Sequence, residues 1–199
     1  MKLVLATANE DKVREIRHAL EGLAIEIVTR NDFPDLPPVV EDGATLAENA
    51  LKKARAVCRA TGLPAIGDDT GLEVEALDGE PGVHSNRFAG PRATYAENVR
   101  LLLRRMEGVS AGRRGARFRC VVALVEPAGV ESMVEGTCEG EVLTATRGEG
   151  RFGYDPVFYV PSRGRTFAEM SMEEKNEISH RGRAMARMRR FIAERFLLG

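Results

Sequence analysis

Met1-Lys2-Leu3-Val4-Leu5-Ala6-Thr7-Ala8-Asn9-Glu10-Asp11-Lys12 is a short apolar run, a polar turn and then a mixture of charges that suits a helix start. It predicts a buried strand over residues 2–6 and a helix from Glu10 to about Glu21, capped by Asn9. A strand that feeds directly into a helix is the mark of an α/β chain. The apolar run of about six residues falls short of the ~7 to 15 of a secretion signal, and charges follow it at once. Working outward, strands are expected at 25–29, 65–67, 72–76 and 157–160. Three hydroxyl-x-x-Glu signatures, Thr45 with Glu48, Thr94 with Glu97 and Ser171 with Glu174, open helices at 46–61, 95–107 and 172–197. Segments 116–126 and 130–144 flank Pro127-Ala128-Gly129 and read as a long hairpin, with Phe118, Cys120, Val122 and Leu124 on one face. Strand-helix alternation followed by a hairpin predicts α/β architecture with a mixed sheet, not a purely parallel one.

Composition narrows the class. The 199 residues are 43% hydrophobic and 30% charged, and no repeat or long linker divides them, so residues 1–199 read as one folded domain. Lys and Arg total 29 against 30 Asp and Glu, and the formal charge of -1 supplies no overall field toward nucleic acid or a membrane surface. No apolar run approaches the ~20 residues of a membrane span. Cys58, Cys120 and Cys138 are odd in number and lack CxxC spacing, which argues against a disulfide framework or a zinc site. A reducing, cytoplasmic setting is expected.

Four clusters could carry chemistry. In Thr7 to Lys12, a helix N-terminus, a hydroxyl and an ammonium converge as a phosphate requires, although simple capping by Asn9 is the commoner use and the glycines of a GxxxxGK[ST] loop are missing. Asp68-Asp69-Thr70-Gly71 sets two carboxylates side by side, which favours a hard cation such as Mg²⁺ or, more plainly, a turn. Glu41 and Glu48 could add to that acidic site, though Lys52 and Lys53 offer Glu48 ordinary helical pairing. Glu149-Gly150-Arg151-Phe152-Gly153-Tyr154-Asp155-Pro156 carries aromatic rings in a glycine-bearing loop that could stack on a base or belong to the core. Lys175, Ser179 and His180 fall along one side of the predicted final helix and form a donor set. Further along it, Met185, Met188, Ile192 and Phe196 recur at core spacing.

Taken together, residues 3–15, Glu41-Asp42-Gly43 with 45–50, 68–90, 152–158 and 166–183 resemble the inosine triphosphate pyrophosphatase family, also called dITP/XTP pyrophosphatases. The resemblance implies an elongated α/β fold with a mixed sheet and two lobes around the active-site cleft. It also implies a homodimer, and Mg²⁺-dependent cleavage of dITP, ITP and XTP to monophosphate and pyrophosphate. On this resemblance Thr7, Ala8, Asn9, Glu10, Asp11 and Lys12 form the phosphate loop. Asp69 is the general base, with Asp68 and Glu41 beside it at the metal, and Lys53 lies near the phosphates. Thr70 stands where the family usually has Ser. Phe152, Gly153, Tyr154 and Asp155 match the base and sugar pocket, and Lys175, His180 and Arg181 close over base and phosphates. Glu10-Asp11 and Leu46 depart from the usual small pair and Phe.

The chemistry is coherent without the name. Water attacking an anionic phosphorus needs cations on the phosphates and a carboxylate to orient or deprotonate the water. A 6-oxo purine offers an acceptor where adenine offers a donor, so a donor-rich pocket favours hypoxanthine and xanthine. The competing readings are a nucleotide sensor without hydrolysis, a pyrophosphatase of modified pyrimidine nucleotides, and a nucleic-acid module built on Arg113, Arg114, Arg117 and Arg119.

Overall fold

The computed structural model describes residues 1–150 and 152–197; Arg151 of the aromatic loop lies outside the described residues. Among them are eight strands: β1 (Lys2–Leu5), β2 (Glu26–Thr29), β3 (Ala65–Val74), β4 (Pro81–Gly82), β5 (Gly115–Val125), β6 (Glu131–Val142), β7 (Phe158–Val160) and β8 (Arg165–Thr166). They make one sheet in the order β2-β1-β3-β5-β6-β7-β8, with β4 on β3. The helices are α1 (Glu10–Ala19), α2 (Leu46–Thr61), α3 (Tyr95–Arg105), α4 (Met172–Ile178) and α5 (His180–Phe196). β1 runs parallel to β2, with Leu3 opposite Ile27, and to β3, with Val4 opposite Ala65. Parallel neighbours need a crossover, and α1 and α2 supply it. The pairs β3–β4, β6–β7 and β7–β8 are antiparallel, so the expected mixed α/β sheet is present.

The chain divides into two compact units, Met1–Asp69 with Cys120–Gly136 and His180–Gly199, and Thr70–Arg119 with Thr137–Ser179. Each has its own core. The first buries Leu3 and Leu5 of β1, Val13 and Ile16 of α1, Cys120, Val122 and Leu124 of β5, and Met185, Met188 and Ile192 of α5. The second buries Leu72, Val99, Leu102 and Phe118 with Phe158 and Phe167, whose rings pack at 4.6 to 5.9 Å between centroids. The alternating set on β5 is thus shared, with Phe118 in one core and the next three residues in the other. Pro127–Gly129 makes the expected tight turn, closed by Gly129 N–H donating to the Glu126 carbonyl at 2.9 Å, and Gly129 takes the positive φ (85°) that the turn needs.

Two expectations are corrected. Residues 65–67 and 72–76 are not separate strands around a turn, because β3 runs unbroken through Asp68, Asp69, Thr70 and Gly71. Turn propensity yields here because both carboxylates are buried against cations and need no solvent. The helix predicted over 172–197 is two helices, and Ser179 between them is extended (φ -70°, ψ 159°). Lys175, Ser179 and His180 therefore do not share one helix side; Lys175 lies on α4 in the second unit, while His180 and Arg181 open α5 in the first.

Of the four arginines that suggested nucleic acid, Arg114, Arg117 and Arg119 have partners within the chain, Arg119 Nη1 lying 3.8 Å from Glu73. Arg114 is buried and donates to the carbonyls of Val142 (2.6 Å), Met106 (3.0 Å), Val109 (3.2 Å) and Leu143 (3.0 Å), which ties the end of α3 to β6. Arg117 Nε donates to Glu73 at 3.0 Å. No described helix is long and apolar enough to cross a membrane.

Candidate active site

Successive residues of a strand point to opposite faces, so β3 presents Asp69 one way and Asp68 the other. Asp69 meets α2. Its Oδ1 accepts from Lys53 Nζ at 3.0 Å and its Oδ2 from Asn49 Nδ2 at 3.2 Å. Asn49 is buried and oriented, because its own Oδ1 accepts from Gly43 N–H at 2.8 Å. Lys53 Nζ also donates to Glu41 Oε2 at 2.7 Å and so bridges the two acids. Gly67 makes this approach possible: a Cβ there would lie 2.2 Å from the Ala50 carbonyl oxygen of α2. Burial pushes the Asp69 carboxyl above its ordinary value, opposed by Lys53 and Lys12. Burial alone would depress Lys53, but Asp69, Asp68 and Glu41 outweigh it and hold the ammonium above its usual range.

Asp68 is fully buried, and its Oδ2 accepts from Lys12 Nζ at 3.0 Å and from Arg181 Nε and Nη2 at 3.3 and 3.2 Å. Burial would raise its carboxyl, but Lys12, Arg181 and Lys53 drive it well below the carboxylate range. Arg181 is 1% exposed and donates through Nη1 to Glu15 of α1 as well. Burial disfavours its charge, yet Glu15 and Asp68 hold it above the usual arginine value. In the turn between β1 and α1, Asn9 Oδ1 accepts from the backbone of Asp11 and Lys12 at 3.0 and 3.2 Å, and Thr7 Oγ1 accepts from Asn9 N–H at 3.2 Å. The Glu10 and Asp11 side chains have partners of their own in Asn31 and Arg14. Ala8 continues the same turn. Glu48 takes no part in the acid group, since it accepts from Ala44 N–H at 2.7 Å beside the start of α2.

In the second unit the aromatic loop and α4 form another group. Lys175 Nζ lies 4.8 Å from the Phe152 ring centroid and 5.5 Å from that of Phe167, and it donates to Asp155 Oδ2. Tyr95 of α3 packs edge-on against Phe152 at 5.6 Å. Gly153 has a positive φ of 53°, which turns the loop after Phe152. Tyr154 faces the core, where its hydroxyl donates to the Ser85 carbonyl at 2.8 Å and burial raises its phenol above the ordinary value. Thr70 is half-buried and follows Asp69 on β3.

Two carboxylates, Glu41 and Asp69, stand where a hard divalent cation could be held. Among the described residues no three His, Cys, Asp or Glu converge as a complete cage. Mg²⁺ is commonly bound by one or two carboxylates, with waters and substrate phosphates filling the rest. Glu15, Glu41, Asp68 and Asp69 pair with Lys12, Lys53 and Arg181. Asp68 is turned away from Asp69 by the strand, but its Oδ1 is a buried oxygen without a hydrogen-bond partner.

A model of the Ham1 family matches residues 3–191. The chain belongs to the Ham1 family. It is 53% identical over 186 residues to the dITP/XTP pyrophosphatase of Desulforamulus reducens, covering 93% of this chain and 92% of that one. It is 54% identical over 185 residues to a dITP/XTP pyrophosphatase of Thermus thermophilus, covering 93% and 88%. The solved structure of a HAM1 protein from Coxiella burnetii superposes with a TM-score of 0.88 at 42% identity, covering 98% and 99%. The family expected from the motifs is therefore the right one.

Sequence reasoning passed over three residues of this Ham1-family site. Asn49 orients Asp69, Gly67 admits α2, and Glu15 holds Arg181. Only Glu15 left a local signal, since it lies three residues beyond Lys12 on the same side of α1.

Proposed function

We propose that this chain is a Mg²⁺-dependent nucleoside-triphosphate pyrophosphohydrolase that converts dITP, ITP and XTP to the monophosphate and pyrophosphate, so removing non-standard purines from the nucleotide pool. The observation that carries the reading is Asp69, a buried carboxylate fixed by Lys53 and Asn49 in a chain whose relatives at over 50% identity are named dITP/XTP pyrophosphatases. Each Asp69 oxygen accepts one of these bonds and has a lone pair for another, so the carboxylate can orient a water and take its proton. Burial makes the metal-free carboxylate a stronger base than an exposed aspartate. Lys12 and Lys53 place positive charge for the phosphate oxygens. Mg²⁺ held by Glu41 and Asp69 supplies charge neutralisation on the triphosphate. Phe152 offers a ring face to the base, and the Lys175 ammonium a donor that suits a 6-oxo group and not a 6-amino group.

The resemblance further supports a cytoplasmic homodimer, whose stoichiometry sedimentation would check. The activity is tested by kcat/KM for dITP, ITP, XTP, ATP and GTP with Mg²⁺. The expected result is a strong preference for the first three. Tight nucleotide binding without turnover would favour a sensor, and a preference for modified pyrimidines would move the substrate class.

A further inference from the structure

Glu15 has no part in the reaction described above, yet it is a buried acid joined to a buried arginine, an arrangement that is costly unless it is well paired. Its contacts form a chain of bonds. Glu15 accepts from Arg181 Nη1; Arg181 gives Nε and Nη2 to Asp68 Oδ2; the same oxygen accepts from Lys12 Nζ. Lys12 has a flexible four-carbon stem, and its ammonium is located by Asp68. Asp68 is in turn located by a planar guanidinium that Glu15 holds from its far side.

We propose that Glu15 is a positioning residue for the triphosphate: acting through Arg181 and Asp68, it sets where the Lys12 ammonium stands. The inference rests on the reading of Lys12 as a phosphate-binding group. Without the Glu15 charge, the attraction between Arg181 and Asp68 is no longer balanced from the far side, and the guanidinium draws that carboxylate away from Lys12.

The test is equilibrium binding of inorganic tripolyphosphate to the full chain, which needs no turnover. The proteins are the wild type, Lys12→Met, Glu15→Gln and the double variant. Glu15→Gln keeps the size of the side chain and removes its charge. It should weaken binding about 10-fold, about 1.4 kcal/mol. Lys12→Met should weaken binding at least as much, and the double variant should be no weaker than Lys12→Met alone. Unchanged affinity in Glu15→Gln, or losses that multiply in the double variant, would reduce Glu15 to a charge balance for Arg181. If Glu15→Gln does not fold, Glu15→Asp keeps the charge, shortens the reach and enters the same cycle. Failure of the wild type to bind tripolyphosphate would overturn the proposed function, and this inference with it; loss in Lys12→Met but not in Glu15→Gln overturns this inference alone.

Discussion

The two units each bury a cation, and they hold it in opposite ways. Arg181 in the first is gripped by acids on two sides, Glu15 and Asp68, both themselves buried. Lys175 in the second pairs with an acid, Asp155, and lies against two aromatic faces, Phe152 and Phe167. Acids fix a guanidinium in direction as well as place, whereas a ring face attracts the charge without taking up a hydrogen-bonding direction. The resemblance groups Lys175, His180 and Arg181 as one set closing over base and phosphates; on the function proposed above, Arg181 is held between Glu15 and Asp68, and Lys175 is the donor offered to the base.

The largest effect expected is on stability. Arg181→Ala strips two buried carboxylates of their cation, and breaking a buried pair costs about 3 to 5 kcal/mol. Thermal unfolding should show the loss, while whatever activity remains keeps its ITP to ATP ratio. A narrowed ratio at unchanged Tm would return Arg181 to the base and dissolve the contrast with Lys175.

Next comes Asp69→Asn, which retains shape and removes basicity. Turnover should fall ~100-fold or more, since a general base and a metal carboxylate go together. Folding should survive. Near-normal turnover would remove Asp69 from the chemistry, and Glu41→Gln tests the second carboxylate in the same assay.

In the second unit, Phe152→Ala should lower kcat/KM for ITP and ATP alike by about 1 to 3 kcal/mol, because every base has a stacking face. Lys175→Met should lower ITP more than ATP and so narrow their ratio. An unchanged ratio in Lys175→Met would place discrimination in backbone groups or in pocket shape.

The smallest effect is that of Asp69 on stability; it and its neighbour Asp68 have shifts of opposite sign. Asp68 is depressed below its ordinary 3.8, so its stabilisation is present above that value and is lost as pH falls through the folded-state value. Asp69 is raised, so its charge costs stability once pH rises above its folded-state value. With chelator present at pH 7, Asp68→Asn should therefore lower Tm, and Asp69→Asn should leave it level or raise it slightly. Equal losses in both would show that the strand does not separate the two environments.

What could be read in the sequence was local. Thr94 with Glu97 and Ser171 with Glu174 form the expected reciprocal caps, and Pro127–Gly129 turns as its composition demands, because those signals lie within a few residues. The continuity of β3 was not legible, since Asp68 and Asp69 are tolerated in a strand only through Lys12, Arg181 and Lys53, which are distant in sequence. Nor was the break at Ser179, which has neither Gly nor Pro to mark it and divides residues that serve two cores. The resemblance alone groups Asp69, Glu41 and Lys53, whose ammonium bridges the two carboxylates. Asn49 and Gly67 lacked a signal because orientation and close approach are properties of packing.

The bond that is cut and the residue that directs the water are read together by product analysis of dITP hydrolysis with Mg²⁺, in the wild type and in Asp69→Asn. One pyrophosphate for each monophosphate is expected from the wild type, and almost none of either from the variant. Diphosphate and orthophosphate as products, or undiminished pyrophosphate release by Asp69→Asn, would contradict that reading.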